Sequence, residues 1–387
     1  MEVIMKAAWV SLLVVLSLLC SISTSAPKVS FERIVVDRTF RAEGVAVGDV
    51  NHDGKLDILS GDVWYAGPDF KKMSEVRKVG AYDGTKGYSN CFANFAQDVN
   101  GDGWIDSIVI GLPDGPCLWY ENPKNRAGHW KERMVVGSAC NETPIFADLL
   151  GDGKPALVFA VRPKGQMAWF GIPKDLEGLW EMNIIASGPD APGTEKYSHG
   201  LGAGDINGDG RCDVLVNEGW WQAPRKRTRA NWKFHPANLG EDCANMLVYD
   251  VDGDGDSDVI SSSAHRYGIW WFEQDGSDFK QHLISKKYSQ PHAIILADMN
   301  RDGVMDLVTG KRHLAHQGKD PGGLDPAMLY WFELRRPETG APEFVLHEID
   351  DDSGVGTQFE VIDMNGDGTL DIVTSNKKGV RVFLQRP

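Results

Sequence analysis

The sequence predicts an all-β, seven-bladed propeller with four-stranded blades, and three observations carry that prediction. An acidic turn string recurs seven times, each copy lies between two runs of strand-forming residues, and a lone strand-like segment at the N-terminus can close the ring. The strings are GDVNHDGKLD from Gly48, QDVNGDGWID from Gln97, ADLLGDGKPA from Ala147 and GDINGDGRCD from Gly204. They continue with YDVDGDGDSD from Tyr249, ADMNRDGVMD from Ala297 and IDMNGDGTLD from Ile362. Their first aspartates are separated by 45 to 65 residues, a spacing that fits one blade and leaves no room for a second domain.

Each string follows an apolar run such as Val45-Ala46-Val47 and precedes a β-branched one such as Asp57-Ile58-Leu59, so the acidic turn joins a first strand to a second. Paired aromatics mark a third strand, among them Trp64-Tyr65, Trp119-Tyr120, Trp220-Trp221 and Trp331-Phe332. A fourth follows in most copies, as in Trp130–Val136 and Phe279–Ile284. After the last string only two strands remain, whereas Phe31–Val36 precedes the first string without a blade of its own. That segment is expected to complete the last blade and leave no open sheet edge.

Residues 1–26 read as a leader rather than as part of the fold. Ala7–Leu19 is an apolar stretch of 13 residues behind Lys6, too short to span a bilayer, with a small-residue cleavage site at Thr24-Ser25-Ala26. The expectation is export to a periplasmic or extracellular space, with residues 27–387 forming the propeller. A lipid anchor through Cys20 is the weaker alternative, because Leu18-Leu19 poorly matches the small residue wanted before a lipidated cysteine. No later stretch is long and apolar enough for a transmembrane segment. The remaining Cys91, Cys117, Cys140, Cys212 and Cys243 are odd in number and lack CxxC spacing, which argues against a disulfide framework and a zinc knuckle.

A formal charge of −15 disfavours nucleic acid and anionic membranes as partners. Much of the surplus sits in the acidic strings, where alternating Asp and Asn present hard oxygen donors and a following Gly permits the sharp turn of a Ca²⁺ loop. The expected ligands are Asp49, Asn51, Asp53 and Asp57; Asp98, Asn100, Asp102 and Asp106; and Asp205, Asn207, Asp209 and Asp213. They continue with Asp250, Asp252, Asp254 and Asp258; Asp298, Asn300, Asp302 and Asp306; and Asp363, Asn365, Asp367 and Asp371. An EF-hand is disfavoured, since Ser60 stands where the bidentate Glu would be and strands flank the loop. Leu150 and Ala156 replace two ligands in the third copy, so that loop is expected to hold no metal. Six Ca²⁺ would add about +12 and offset most of the acidic excess.

These loops resemble those of FG-GAP/VCBS repeat proteins, related to the Ca²⁺-binding propeller of integrin α-chains, and the likeness covers residues 31–387. It implies the fold and about six structural Ca²⁺ ions. It leaves activity open, because the repeat serves adhesins, lectin-like modules and enzymes alike.

Candidate chemistry lies on the face opposite the acidic turns. His199 and His292 each stand six residues before a first aspartate, and Glu142 takes the same place in the third copy. His265 and His313 each stand seven residues after a ninth-position aspartate. The sixth copy carries an insertion, Lys311–Leu329, which adds Lys311, Arg312, His316, Asp320 and Asp325. Imidazoles, cations and carboxylates beside a propeller mouth suit an active site or a transition-metal site. Proton abstraction next to a carbonyl or carboxylate fits best, with His265 or His292 as base and Lys311, Arg312 or a metal holding the developing anion. In outline this is similar to propeller-type polysaccharide lyases and to the propeller of aldos-2-ulose dehydratase, whose cupin domains have no counterpart here. The partner would be a carbohydrate. The rival expectation is a non-catalytic module that binds a glycan or a protein, with Trp220 stacking on the ligand. His235, His282 and His347 each stand three residues after an aromatic (Trp232, Phe279 and Phe344) at one position of the outer strand and read as structural.

Overall fold

The computed structural model describes residues 29–241 and 243–386; the leader expected over residues 1–26 lies outside them. Seven four-stranded antiparallel sheets form a propeller, and six of them are consecutive in sequence. The seventh combines Ser30–Asp37 with Phe359–Ile362, Asp371–Asn376 and Gly379–Arg386. Ser30 pairs with Arg386 and Ile34 with Val382, so the N-terminal strand completes the last blade. Closing the ring in this way uses the hydrogen-bonding edge that Gly379–Arg386 would otherwise expose.

Second strands read as unbroken β-branched runs rather than alternations because both of their faces are covered. Ile58 and Leu59 are both fully buried, as are Val214 and Leu215. A strand packed between two neighbouring blades has no solvent face, and the period-two pattern vanishes with it. Each interface is a small core: Val158 and Trp169 of blade 3 meet Val214 and Trp221 of blade 4. Among the described residues no disulfide joins the five cysteines, and Cys91, Cys117, Cys140 and Cys243 are buried within these layers.

The three outer-strand histidines are cross-strand partners of tryptophans. His235 pairs with Trp220, His282 with Trp271 and His347 with Trp331. Each imidazole stacks on its indole at 4.2–4.4 Å between centroids. Trp220 is thereby buried under His235 on the outer side of its blade. It is therefore not the mouth aromatic expected from sequence, because a side chain paired in the outer half of a sheet faces the neighbouring blade and not the axis.

First strands surround an axial cavity of about 360 Å³ lined by Phe95, Phe146, Ile295 and Phe359, with Glu360 among them. Burial pushes the Glu360 carboxyl up to about 7, against a hydrogen bond from Gln358. Its folded value lies above the unfolded one, so ionising it opposes folding; that cost begins as pH passes the unfolded value, is small at pH 5 and is complete above about 7. Glu360→Gln should therefore raise the melting temperature at pH 8 and raise it much less at pH 5. Equal shifts at both pH values would show that Glu360 is already ionised at pH 5.

Candidate functional site

The acidic turns build themselves from side-chain oxygens and backbone N–H groups. Asp53 and Gly54 donate their N–H groups to the Asp49 carboxylate at 3.0 and 2.9 Å, and Asp53 N–H also meets Asn51 Oδ1 at 2.9 Å. The same pattern recurs around Asp98, Asp205, Asp298 and Asp363. In the fifth loop the ligand oxygens of Asp250, Asp252 and Asp254 lie within 4.8 Å of one another. The other five complete loops carry Asn at the middle position, which contributes an amide oxygen in place of a third carboxylate. These donor sets suit a hard cation. The third turn closes just as well without them, since Asp148 accepts N–H groups from Gly151, Asp152 and Gly153. The turn is thus encoded by its first Asp and its glycines, and the further acids of the other six copies are not needed to make it.

Ninth-position aspartates are placed differently from the rest of each loop. Asp57, Asp106, Asp213, Asp258, Asp306 and Asp371 are fully buried or nearly so. Each accepts a backbone N–H from seven residues earlier on one oxygen and another from the end of the third strand on the other. They pin the turn to two strands of its own blade. A buried carboxylate with two such bonds is costly to remove. Asp106→Ala should cost roughly 3 kcal/mol even in chelator, whereas Asp53→Ala, which in chelator loses only an exposed hydrogen bond from Lys55 N–H, should cost far more when Ca²⁺ is present; denaturant melts in both conditions separate the two roles.

On the opposite face the axial ends of several blades converge. His199 and Glu142 precede the first strands of blades 4 and 3, and His292 opens the first strand of blade 6, Pro291–Ala297. His265 follows the second strand of blade 5, Asp258–Ser262, and Arg312 follows that of blade 6, Asp306–Lys311. His199 Nε2 and His265 Nε2 are 3.1 Å apart. Glu142 Oε2 lies 3.5 Å from His199 Nε2 and 3.4 Å from His292 Nε2. Beneath them Arg312 Nη1 donates to Glu142 Oε2 and to His292 Nε2, both at 2.8 Å. His292 and Arg312 are wholly buried, whereas His199 and His265 retain 12% and 16% side-chain exposure, so these two face the opening.

The inserted segment of blade 6 folds over this floor. Its single turn, Ala315–Gly318, brings His316 against His265, with the rings stacked at 4.5 Å. Asp320 takes both imidazoles, at 3.1 Å from His265 Nδ1 and 3.0 Å from His316 Nδ1. Gln290 Nε2 donates to the same carboxylate at 2.9 Å. Beside His199 a polar cleft of about 550 Å³ opens, lined by Asp190, Glu195, Tyr197 and Glu218.

Electrostatics sort the group. Burial works to raise Glu142, but Arg312 and hydrogen bonds from His199 and His292 outweigh it and hold the carboxyl well below its usual range. Burial pushes Glu43 up, against Arg312 and Lys377. Burial, with His199 and Arg312 adding to it, lowers His265 to about 4, and burial with Arg312 takes His292 well below its ordinary value. Burial thus favours the neutral form of both imidazoles.

Glu142, His199, His265, His292, Arg312 and His316 therefore come together, and Lys311 and His313 do not. Lys311 Nζ donates to Gln290 Oε1 and to the Gly323 carbonyl, so it secures the insertion instead of facing a ligand. His313 lies toward Lys378 and Asp352, and burial lowers it to about 4. Successive residues at a strand end point to opposite sides, and Arg312 is the one of the three that turns to the axis. Asp325 accepts a hydrogen bond from Tyr267 at 2.9 Å, outside the cluster. Glu43 and Tyr88 had not been singled out from sequence. Glu43 stands six residues before Asp49, the same offset as Glu142, His199 and His292, so a register comparison across all seven copies would have found it. Tyr88 carries no repeat signal; its ring meets Arg312 at 5.3 Å, and its hydroxyl accepts the His316 N–H.

Residues 250–309, from the acidic loop of blade 5 into the second strand of blade 6, match the FG-GAP-like repeat, so the chain carries a repeat of that type. No curated protein matches the sequence. Among solved structures, the chain is similar to a lectin of Agrocybe aegerita that recognises non-reducing terminal N-acetylglucosamine, at 13% identity and a TM-score of 0.45, over 92% of this chain and 85% of the lectin. It is also similar to the exotype rhamnogalacturonan lyase YesX, at 13% identity and a TM-score of 0.47, over 89% and 72% of the two chains. A third is the V. cholerae biofilm matrix protein Bap1, at 12% identity and a TM-score of 0.41, over 90% and 81%. Likeness at this level does not reach to ligand or chemistry.

Proposed function

We propose that this is an exported, Ca²⁺-stabilised propeller that acts on a carbohydrate at its axial mouth by abstracting a proton next to a carbonyl or carboxylate. The observation that carries this reading is the convergence of His199, His265, His292, Glu142 and Arg312 from four blades, capped by the His316–Asp320 pair. A merely structural histidine needs one partner; the outer-strand histidines show that economy, whereas these share partners across blades.

His316 is the group best placed to take the proton. Asp320 engages its Nδ1, which leaves Nε2 as the acceptor, and its side chain is half exposed beside the opening. The buried floor suits His292 to support rather than proton transfer, since its Nε2 is already engaged by Arg312. His199 and His265 line the opening where negative charge would develop, and buried Arg312 offsets Glu142 beneath them. Elimination from a uronate or a keto-sugar would create a conjugated double bond that absorbs in the ultraviolet.

His316→Ala should reduce turnover about 10²- to 10⁴-fold, the usual range for loss of a general base, while leaving the melt nearly unchanged. Acidic polysaccharides and keto-sugars are the substrates to screen. If none yields an absorbing product while a glycan still binds the mouth, the catalytic reading fails and the propeller is a binding module, with Tyr197, which is 47% exposed, as its stacking platform.

A further inference from the structure

The floor of the mouth contains more buried polar atoms than its own residues satisfy. Both oxygens of Glu43, Nε and Nη2 of Arg312 and Nδ1 of His292 have no hydrogen-bond partner among the described residues. Glu43 and Arg312 are each only 1% exposed, so bulk water does not serve them. Groups left in this condition call for an unseen water, an ion or a second arrangement of the same side chains.

Above them, two imidazole nitrogens face one another at 3.1 Å, and the ligand atoms of His199, His265 and His292 all lie within 4.8 Å of one another. Glu142 Oε2 completes the set at 3.5 and 3.4 Å from two of them. Tetrahedral bonds of about 2.0–2.1 Å to a zinc-like ion put neighbouring ligand atoms roughly 3.3–3.4 Å apart, and the three edges at 3.1, 3.5 and 3.4 Å fall close to that. With His265 Nδ1 held by Asp320, its Nε2 is turned to His199 Nε2, and this pair is satisfied either by one hydrogen bond between the rings or by a cation that both nitrogens ligate.

We infer that Nε2 of His199, His265 and His292 and Oε2 of Glu142 form a site for one divalent transition-metal ion of the zinc or cobalt type. Asp320 is the positioning carboxylate: it engages His265 Nδ1 at 3.1 Å and so turns Nε2 toward the ion. Arg312 Nη1 now sits 2.8 Å from both Glu142 Oε2 and His292 Nε2, on the ground the ion would take. The same guanidinium has Nε 3.7 Å from Glu43 Oε2. A shift of roughly 1 Å would bring that contact to hydrogen-bond length. Ion entry and transfer of Arg312 from Glu142 to Glu43 are thus one rearrangement, and it gives partners to the Glu43 and Arg312 atoms that now lack them. The site has nitrogen ligands, which separates it from the all-oxygen acidic loops on the other face. It goes beyond the catalytic reading, since the ion binds whether or not a sugar is turned over.

The test needs no substrate. The whole exported chain, saturated with Ca²⁺ to fill the acidic loops, is titrated with Co²⁺ and with Zn²⁺. Binding is followed by the visible cobalt spectrum and by metal analysis after gel filtration. One ion per chain with a nitrogen-ligand spectrum is expected. Asp320→Asn, which keeps the shape but replaces one accepting oxygen with an N–H donor, should weaken binding about 10- to 100-fold, and His199→Ala, at the rim, should abolish the visible bands with the melt retained. Should His199→Ala fail to fold, Asp320→Asn alone decides. No cobalt retained by the Ca²⁺-saturated wild type would overturn the inference, as would wild-type affinity in the folded Asp320→Asn and His199→Ala variants. Neither result bears on the elimination assay, which is read separately.

Discussion

Arg312→Met should lower stability by about 3–5 kcal/mol, the cost of removing one partner from a buried ion pair. Few single changes elsewhere in the chain would match it. The guanidinium is 1% exposed, donates to Glu142 and His292, and lies over the rings of Tyr88 and Phe92 at 5.3 and 5.4 Å. Methionine fills much of the volume but leaves Glu142 and Glu43 buried with no cation between them. Chemical denaturation at pH 7.5 measures the loss. The sign of its pH dependence follows from Glu142, whose folded value Arg312 holds well below the ordinary range. A depressed carboxyl contributes stability that is present above its unfolded value and lost as pH falls toward the folded one. The variant forfeits that contribution, so the gap between wild type and variant should be widest near neutrality and narrow on acidification. Arg312→Met combined with Glu142→Gln should recover part of the loss, because it removes the charge that was stranded. A loss under about 1 kcal/mol would mean that the pair behaves like an exposed one and that water reaches the floor.

Chelation of Ca²⁺ should depress the melting temperature by roughly 10 °C or more, with recovery on adding back Ca²⁺ but not Zn²⁺. An ion at a hundred times its dissociation constant contributes about 2.7 kcal/mol per site, and six loops of one closed ring share the effect. Stripping the ions also leaves like charges facing one another, most of all in the fifth loop, where Asp250, Asp252 and Asp254 crowd together. Asp254→Ala should lower the bound Ca²⁺ count by one, and the third loop, with Leu150 and Ala156, should contribute nothing to the count. A melt indifferent to chelator would end the structural role of Ca²⁺, because the turns close on backbone N–H groups without it, as the third loop demonstrates.

The catalytic and metal-binding readings of the mouth are compatible. His199, His265, His292 and Glu142 form the floor, while His316 stands above it on the insertion with its own carboxylate contact. An ion on the floor would supply the positive charge that Arg312 and Glu142 together largely cancel.

Local pattern determined most of the fold. The acidic turn, the β-branched run after it and the aromatic pair are features of adjacent residues, and the seven repeats fixed the blade number. The orphan strand Ser30–Asp37 revealed the closure, because a sheet edge must find a partner somewhere. Register within the repeat also placed His199, His292 and Glu142 at equivalent points near the axis, and would have placed Glu43 there too.

Contacts between blades were a different matter. Arg312 meets Glu142 across 170 residues of sequence, a pairing set by how the closed ring brings blades 3 and 6 to the axis. Among Lys311, Arg312 and His313, sequence treats the cations as equals, yet strand alternation turns only the middle one inward and sends Lys311 to Gln290 and His313 toward Lys378. Trp220 looked available to a ligand and is instead roofed by His235 from the next strand. The reason is the same in each case. Hydrogen-bonded turns and strand periodicity are short-range and written in consecutive residues, whereas burial, pairing and the direction of a side chain depend on which distant segment closes over it.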